Sequence, residues 1–415
     1  MELSSSLLFG VGANEWQERI NFKRMREERA ERLRKVMRKH KVAACILARS
    51  DNMRYATGMP GAGFVPQLSY CFFSVEHEPV IFEHAGRYAH MKDQAPWIKP
   101  ENHRIAHSWL GGICGPDASW EEANIFSKEI AQEIQDKGLK GERLGMVGFD
   151  AITRVALNEL GIETFDMWPI MLEARAVKTK DEINCLKMIC AIADAAFYRM
   201  YEVMRPGVRD VDISGAGLNA VMKSGADNPG VIATFSGPLT FERGWPNTDR
   251  IIQVGDMIYI DICNTDYLGY KACYYRSFIV GRKPNTKEKD WHKRVLDKQN
   301  AILSEMKPGK TTADAAKYFT PASAWGHPEE VHVLTIEIGH GIGLHLYEMP
   351  VINQQWSLKH PQAFEVGNVI AVESSIGEWR VGGSRLEDMV AITEKGAELL
   401  GRWPRDEIVV ANAVV

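Results

Sequence analysis

Ile338-Gly339-His340-Gly341-Ile342-Gly343-Leu344 sets one imidazole in a run of glycines and aliphatic residues. Two carboxylates follow it. Glu373 closes Val369-Ile370-Ala371-Val372-Glu373, and Glu387 lies in Arg385-Leu386-Glu387-Asp388. Each ends a strand-like or glycine-rich run, so the three side chains can converge on one point. Charged groups on apolar strands are costly to bury without a partner. A mixed nitrogen and oxygen donor set of this kind suits zinc, iron or manganese.

The chain upstream repeats the pattern. Val254-Gly255-Asp256-Met257-Ile258-Tyr259-Ile260-Asp261 matches Val366-Gly367-Asn368-Val369-Ile370-Ala371-Val372-Glu373, with the final carboxylate at the same offset from the glycine. Met204-Arg205-Pro206-Gly207 and Met306-Lys307-Pro308-Gly309 each end a helix, because Pro-Gly cannot continue one. Two matched pairs in the same order predict a duplicated α/β unit. Pseudo-twofold packing of its halves makes Asp261 face Glu373 across a central pocket. Like charges in one pocket call for a cation, a proton or a basic ligand between them.

The rest of the chain sets the frame. With 415 residues, 45% hydrophobic and 25% charged at a net charge of −4, it reads as a globular protein of one large or two ordinary domains. The charge balance gives no reason to expect nucleic acid, and no apolar run of about 18 residues predicts a membrane span. Met1-Glu2-Leu3-Ser4 lacks the positive charge of a signal peptide. Seven irregularly spaced cysteines read as reduced thiols, and together these features predict a cytoplasmic protein. Phe22 to His40 predicts a charged helix with Met25, Leu33, Val36 and Met37 as its sparse apolar positions. Its nine arginines and lysines alternate with glutamates, as on a solvated face. Strands are expected at Val42–Ala48, Tyr70–Val75, Pro79–Phe82 and Arg143–Gly148, with a helix at Glu121–Lys137 and a turn over Asn52–Gly58. That alternation predicts a small α/β domain over residues 1–172. A boundary at Glu173–Thr179 leads into a second domain, residues 173–415. Thr179-Lys180-Asp181-Glu182 is a capping box, which starts a long helix.

Taken together, the capping box, the Gly-Asp turn into a strand ending in Asp, Gly-His-Gly-Ile-Gly, Val-Glu-Ser and Arg-Leu-Glu-Asp resemble the pita-bread fold of creatinase, prolidase, aminopeptidase P and methionine aminopeptidase. The resemblance covers Thr179 to about Arg405. It implies a creatinase-type N-terminal α/β domain followed by a pseudo-twofold pita-bread domain. The metallopeptidases of that family hold two metal ions with Asp, Asp, His, Glu and Glu. Carried over, Asp261, His340, Glu373 and Glu387 match, and the second Asp position reads Cys273 in Gly269-Tyr270-Lys271-Ala272-Cys273. The family's histidine before the Gly-Asp turn aligns with Gly244, and its later His-Glu pair reads Tyr347-Glu348.

These departures resemble the family's non-peptidases: creatinase, ectoine hydrolase and the dimethylsulfoniopropionate lyase of the same fold. They lead to the expectation of an enzyme that cleaves a C–N or C–S bond in a small zwitterionic metabolite. The alternatives are a metal-dependent Xaa-Pro dipeptidase and a non-catalytic binding module. His340, Glu373, Glu387 and Tyr347 are the expected catalytic residues, with Tyr347 as the proton-transfer group. Arg243 and Trp245 suit the two ends of a zwitterion, and Tyr270 is read as lining the pocket. The expected metal set is Asp261, His340, Glu373 and Glu387 with Cys273. Two arrangements stay open. Either Cys263 or Cys273 supplies a thiolate to one zinc or iron, or no metal is held and the imidazole and carboxylates act directly. The resemblance also implies a homodimer in which the Gly58–Gly63 loop covers the neighbour's pocket.

Overall fold

A computed structural model describes residues 19–61, 68–107, 111–241 and 247–412. The chain divides into two compact units, Phe22–Arg175 and a second from Ala176 onward that also takes in Asn21.

The first unit runs α1 (Phe22–Lys39), β1 (Ala44–Ala48), α2 (Ser50–Thr57), β2 (Ser69–Ser74), β3 (Val80–Glu83), α3 (Ala85–Gln94), β4 (His103–Ile105), α4 (Pro116–Asp136), β5 (Leu144–Val147), α5 (Ala151–Glu159), β6 (Thr164–Asp166) and α6 (Trp168–Ala176). Its strands form one mixed six-stranded sheet in the order β4-β3-β2-β1-β5-β6. Phe126, Ile130 and Ile134 of α4 and Leu157 of α5 pack on Ile46, Tyr70, Phe72 and Phe82. Each such fully buried side chain contributes about 1.5–3 kcal/mol. In α1 the buried positions are Met25, Arg29, Leu33 and Met37, a stripe at every fourth residue. Arg29 takes an inward place because its guanidinium lies over the Tyr55 ring, 5.9 Å from the centroid. The stretch from Asn52, expected as a turn, is helix α2. Met53, Tyr55 and Ala56 are buried on it, and Gly58 at φ 84° caps it by donating its N–H to the Arg54 carbonyl. The glycine ends the helix here; it does not prevent one.

The second unit runs α7 (Lys180–Val203), α8 (Asp210–Lys223), β7 (Val231–Ser236), β8 (Met257–Tyr267), β9 (Tyr270–Val280), α9 (Thr286–Glu305), α10 (Thr312–Ala316), β10 (Gly339–Gly341), β11 (Glu348–Ile352), α11 (Gln354–Ser357), β12 (Val369–Glu378), β13 (Gly382–Thr393), β14 (Gly396–Leu399) and β15 (Val409–Ala411). The Thr179 hydroxyl accepts from the Glu182 N–H while the Glu182 carboxylate accepts from the Thr179 N–H, which completes the capping box that starts α7. Two sheets form, β15-β9-β8-β7 and β11-β10-β12-β13-β14.

The duplication is visible in the backbone. Gly255 and Gly367 both take positive φ, 89° and 95°, immediately before β8 and β12. Asp261 pairs with Tyr275 across β8–β9, and Glu373 pairs with Glu387 across β12–β13. The same 112-residue offset relates both members of the two pairs (261 to 373, 275 to 387). It also relates Arg276 to Asp388, which join in a buried ion pair of 2.8 Å between the two ribbons. Each half carries its own long helix. Phe197 of α7 packs against Tyr274, Phe278 and Trp403. Ile302 and Met306, at the end of α9, pack with Phe319, Val372, Val390 and Ile392.

Candidate metal centre

Side chains two residues apart on a strand share a face. Asp261 and Cys263 therefore point the same way from β8, towards the face that β9 fills with Cys273 and Tyr275, their cross-strand partners. The ladder shifts just beyond, between Cys263 and Thr265, with Asn264 at φ 61° as the extra residue. This bulge places one extra residue between Asp261 and Cys273 while Cys263 and Cys273 stay opposite each other. The Cys263 and Cys273 Sγ atoms are 3.6 Å apart.

The other ribbon supplies the carboxylates and the imidazole. Glu373 and Glu387 are direct cross-strand partners, and β10 lies on the far side of β12 with His340 opposite Ala371. Gly341 is needed beside His340: a Cβ there would sit 2.2 Å from the Met349 carbonyl oxygen. His340 Nε2 is 4.0 Å from Glu387 Oε1. One donor atom each from Asp261, Cys263 and Cys273 lie within 4.8 Å of one another, and so do one each from Cys273, His340 and Glu387. The Cys273 sulfur belongs to both groups.

Asp261, Cys273, His340, Glu373 and Glu387 are all buried. Three carboxylates in so little solvent repel one another. The Cys273 thiol is held well above its ordinary range, first by its hydrogen bond to Cys263, then by burial and by the negative Glu387 and Asp261. A divalent cation relieves all of these costs at once, and imidazole, carboxylate and sulfur are established donors for one. The donor set fits a metal.

Glu373 is positioned from the side. The Tyr275 hydroxyl donates to its Oε2 at 2.7 Å, and the Arg385 guanidinium approaches the same oxygen at 3.9 Å. Arg385 is itself flanked by the Tyr259 and Tyr275 rings, each 5.1 Å from its Cζ. Tyr275 and Arg385 are not among the site residues expected from the sequence. The 112-residue offset from Tyr275 to Glu387 was the available signal. Tyr347 stands at the rim, 41% exposed, with its ring centroid 4.5 Å from that of His340. The neighbouring Glu348 is committed to a buried ion pair with Lys178 at 2.9 Å. Tyr270 is engaged elsewhere: its hydroxyl donates to Glu182 Oε1 at 3.0 Å, at the start of α7. Arg243, Trp245 and the Gly63 end of the expected covering loop lie outside the described residues.

Comparisons with known proteins agree on what this framework is. The model of metallopeptidase family M24 matches residues 184–394, and that of the creatinase/prolidase N-terminal domain matches residues 29–176. An Xaa-Pro dipeptidase of Pyrococcus furiosus is 30% identical over 312 residues, covering 69% of this chain and 86% of its own. Among solved structures, dipeptidase PepE from Mycobacterium ulcerans superposes with a TM-score of 0.74 at 20% identity, over 95% of this chain and 100% of that one. An Xaa-Pro dipeptidase from Bacillus anthracis gives 0.73 at 23% identity, over 92% and 99%. The expectation of a non-peptidase lyase or creatinase-like enzyme does not stand against these relatives, which are named as dipeptidases. It rested on the departures at Cys273, Gly244 and Tyr347; of these, the Cys273 sulfur lies within 4.8 Å of His340 and Glu387 donor atoms and can act as a ligand of another kind. The folded register and the matched family models lead to one conclusion: the chain belongs to metallopeptidase family M24 and carries that family's creatinase/prolidase type of N-terminal domain.

Proposed function

We propose that this protein is a metal-dependent hydrolase of small peptides, a dipeptidase of the Xaa-Pro type. The observation that carries the reading is the convergence of Cys273, His340 and Glu387 donors within 4.8 Å in a chain of this family. The 30% identity to an Xaa-Pro dipeptidase supports the substrate class. Asp261, Cys273, His340 and Glu387 would hold the metal, with Glu373 alongside. A divalent metal there lowers the pKa of a bound water and polarises a carbonyl.

The chain's own groups do the rest. Glu373 Oε2, held in orientation by the Tyr275 hydroxyl, is a fixed carboxylate that can take a proton from the attacking water. The Tyr347 phenol, exposed at the rim over His340, can donate a hydrogen bond to the substrate or a proton to the departing amine. The apolar strands behind the carboxylates exclude bulk water and strengthen each of these interactions. The same reading takes the assembly to be a homodimer, which sedimentation checks.

The test uses protein purified under reductant, stripped with a chelator and reloaded with one divalent metal at a time. Turnover of Xaa-Pro dipeptides is compared with that of non-prolyl dipeptides. Metal-dependent hydrolysis favouring Xaa-Pro, lost in His340→Ala, is expected. A fully metal-loaded protein that hydrolyses no dipeptide overturns the reading.

A further inference from the structure

The departure at Cys273 is accompanied by a second sulfur, Cys263, directly across the ladder. Nothing in packing requires two thiols on this face. Their strands pair through the backbone, and most of the other apolar buried positions of β8 and β9 are isoleucine and tyrosine. The sulfurs are 3.6 Å apart. Two thiolates on one tetrahedral zinc, each bonded at about 2.3 Å, stand roughly 3.7 Å apart. A disulfide needs about 2.05 Å. The separation suits two ligands of one ion, and it is also the length of the Cys273–Cys263 hydrogen bond. Asp261 completes a three-donor group with that pair, and the Cys273 sulfur also completes the separate group with His340 and Glu387.

We infer that Cys263 and Cys273 make this a thiolate-bridged two-metal centre. One ion is held by Asp261, Cys263 and Cys273, the other by Cys273, His340 and Glu387, and the Cys273 sulfur is shared. The inference rests on the proposed metal-dependent function and deepens it by naming the metals the centre takes. Thiolate donors select zinc, cobalt or cadmium over manganese, whose preference is for oxygen. Three donors per ion leave room on each for water and substrate.

The experiment is cobalt titration of the full chain, stripped of metal and kept under inert gas with reductant. Two cobalt ions per chain are expected, with a near-ultraviolet sulfur-to-cobalt charge-transfer band. Three sulfur–cobalt bonds predict that Cys263→Ser loses about one third of the band and Cys273→Ser about two thirds, since a bridging sulfur contributes twice. Cys114→Ser, at an exposed cysteine of the first unit, keeps it all. Cys273→Asp keeps two ions, retains only the Cys263 share of the band, and shifts metal competition from cadmium towards manganese by at least about 10-fold. X-ray absorption of the unmutated zinc protein adds a check independent of folding of the variants, with sulfur scatterers at about 2.3 Å expected.

Cobalt bound without a charge-transfer band, oxygen and nitrogen scatterers alone, a single ion per chain, or equal losses in the two serine variants would each overturn the inference. Dipeptide hydrolysis by a sulfur-free two-metal centre leaves the proposed function standing and removes this inference. Sulfur-to-cobalt bands in a protein that hydrolyses no dipeptide do the reverse.

Discussion

The β8–β9 ribbon and the β12–β13 ribbon share one backbone plan and differ in chemistry. In both, a glycine of positive φ leads into a strand, and the functional pair stands directly across the ladder. In the second ribbon that pair is Glu373 and Glu387, two carboxylates. In the first it is Asp261 and Tyr275, with Cys263 and Cys273 one step along the same face. The second ribbon keeps hard, negative donors. Where the second ribbon has Glu387 the first has a phenol, which serves the other ribbon's Glu373, and the first ribbon adds sulfur. Duplication preserves geometry because backbone register is set by pleat and turn. The side chains on that register are free to diverge.

The largest expected effect is on the contact that holds the two ribbons together. Asp388 receives Arg276 at 2.8 Å and Arg405 at 2.9 Å, all with little solvent. Asp388→Ala strands buried guanidinium charge and should cost about 3–5 kcal/mol. Thermal unfolding should then begin roughly 6–20 °C lower. An unchanged Tm would mean the ribbons are joined mainly by apolar packing.

Next comes the difference in chemistry itself. Glu387→Gln keeps the shape and removes the charge next to His340 and Cys273. It should lower kcat/KM for an Xaa-Pro dipeptide at least ~100-fold and weaken metal retention by a similar factor. Its counterpart by duplication, Tyr275→Phe, keeps the ring and loses the hydroxyl that donates to Glu373 and accepts from Arg385 at 3.4 Å. We expect about a 10-fold fall in kcat, little change in KM, and full metal content by elemental analysis. If the two variants behaved alike, the phenol would be a full member of the centre and not a positioning residue.

The smallest expected effect separates the two supporting helices. Cys190 of α7 and His292 of α9 occupy equivalent places, each 14 residues before the methionine of the Met-x-Pro-Gly end (190 to 204, 292 to 306). His292 is buried between Ser384 and the Arg405 carbonyl, and burial pushes its pKa down. A histidine depressed in the folded state takes up its proton more readily when unfolded. Its contribution is therefore complete above the ordinary histidine pKa of about 6.5 and is lost as pH falls through the lower folded value. Unfolding followed by denaturant should show stability falling on that acid side, with a shallower slope in His292→Gln. An identical slope would place the acid sensitivity elsewhere.

Much of this molecule could be read along the chain. Thr179 and Glu182 form the capping box that their spacing specifies, because a cap is a local exchange of hydrogen bonds. The two Val-Gly strands start where the repeat places them, and Gly-His-Gly forms a short strand. Local signals misled at Asn52–Gly58, where burial of Met53 and Tyr55 extended a helix up to the glycine.

What the chain by itself determined, then, is the set of strands, their faces and the candidate donors, since period-2 alternation and turn glycines act over a few residues. Tertiary structure alone decided which of those donors meet. Tyr270 went to Glu182 and Tyr275 to Glu373, although both are tyrosines on one strand. Cys273 came within reach of both Cys263 and His340, two groups that are far apart in sequence. The reason is physical. Which face a side chain takes depends on its own strand, whereas its partners depend on ladder register and on how two sheets pack, and a single bulged residue at Asn264 is enough to set sulfur opposite sulfur.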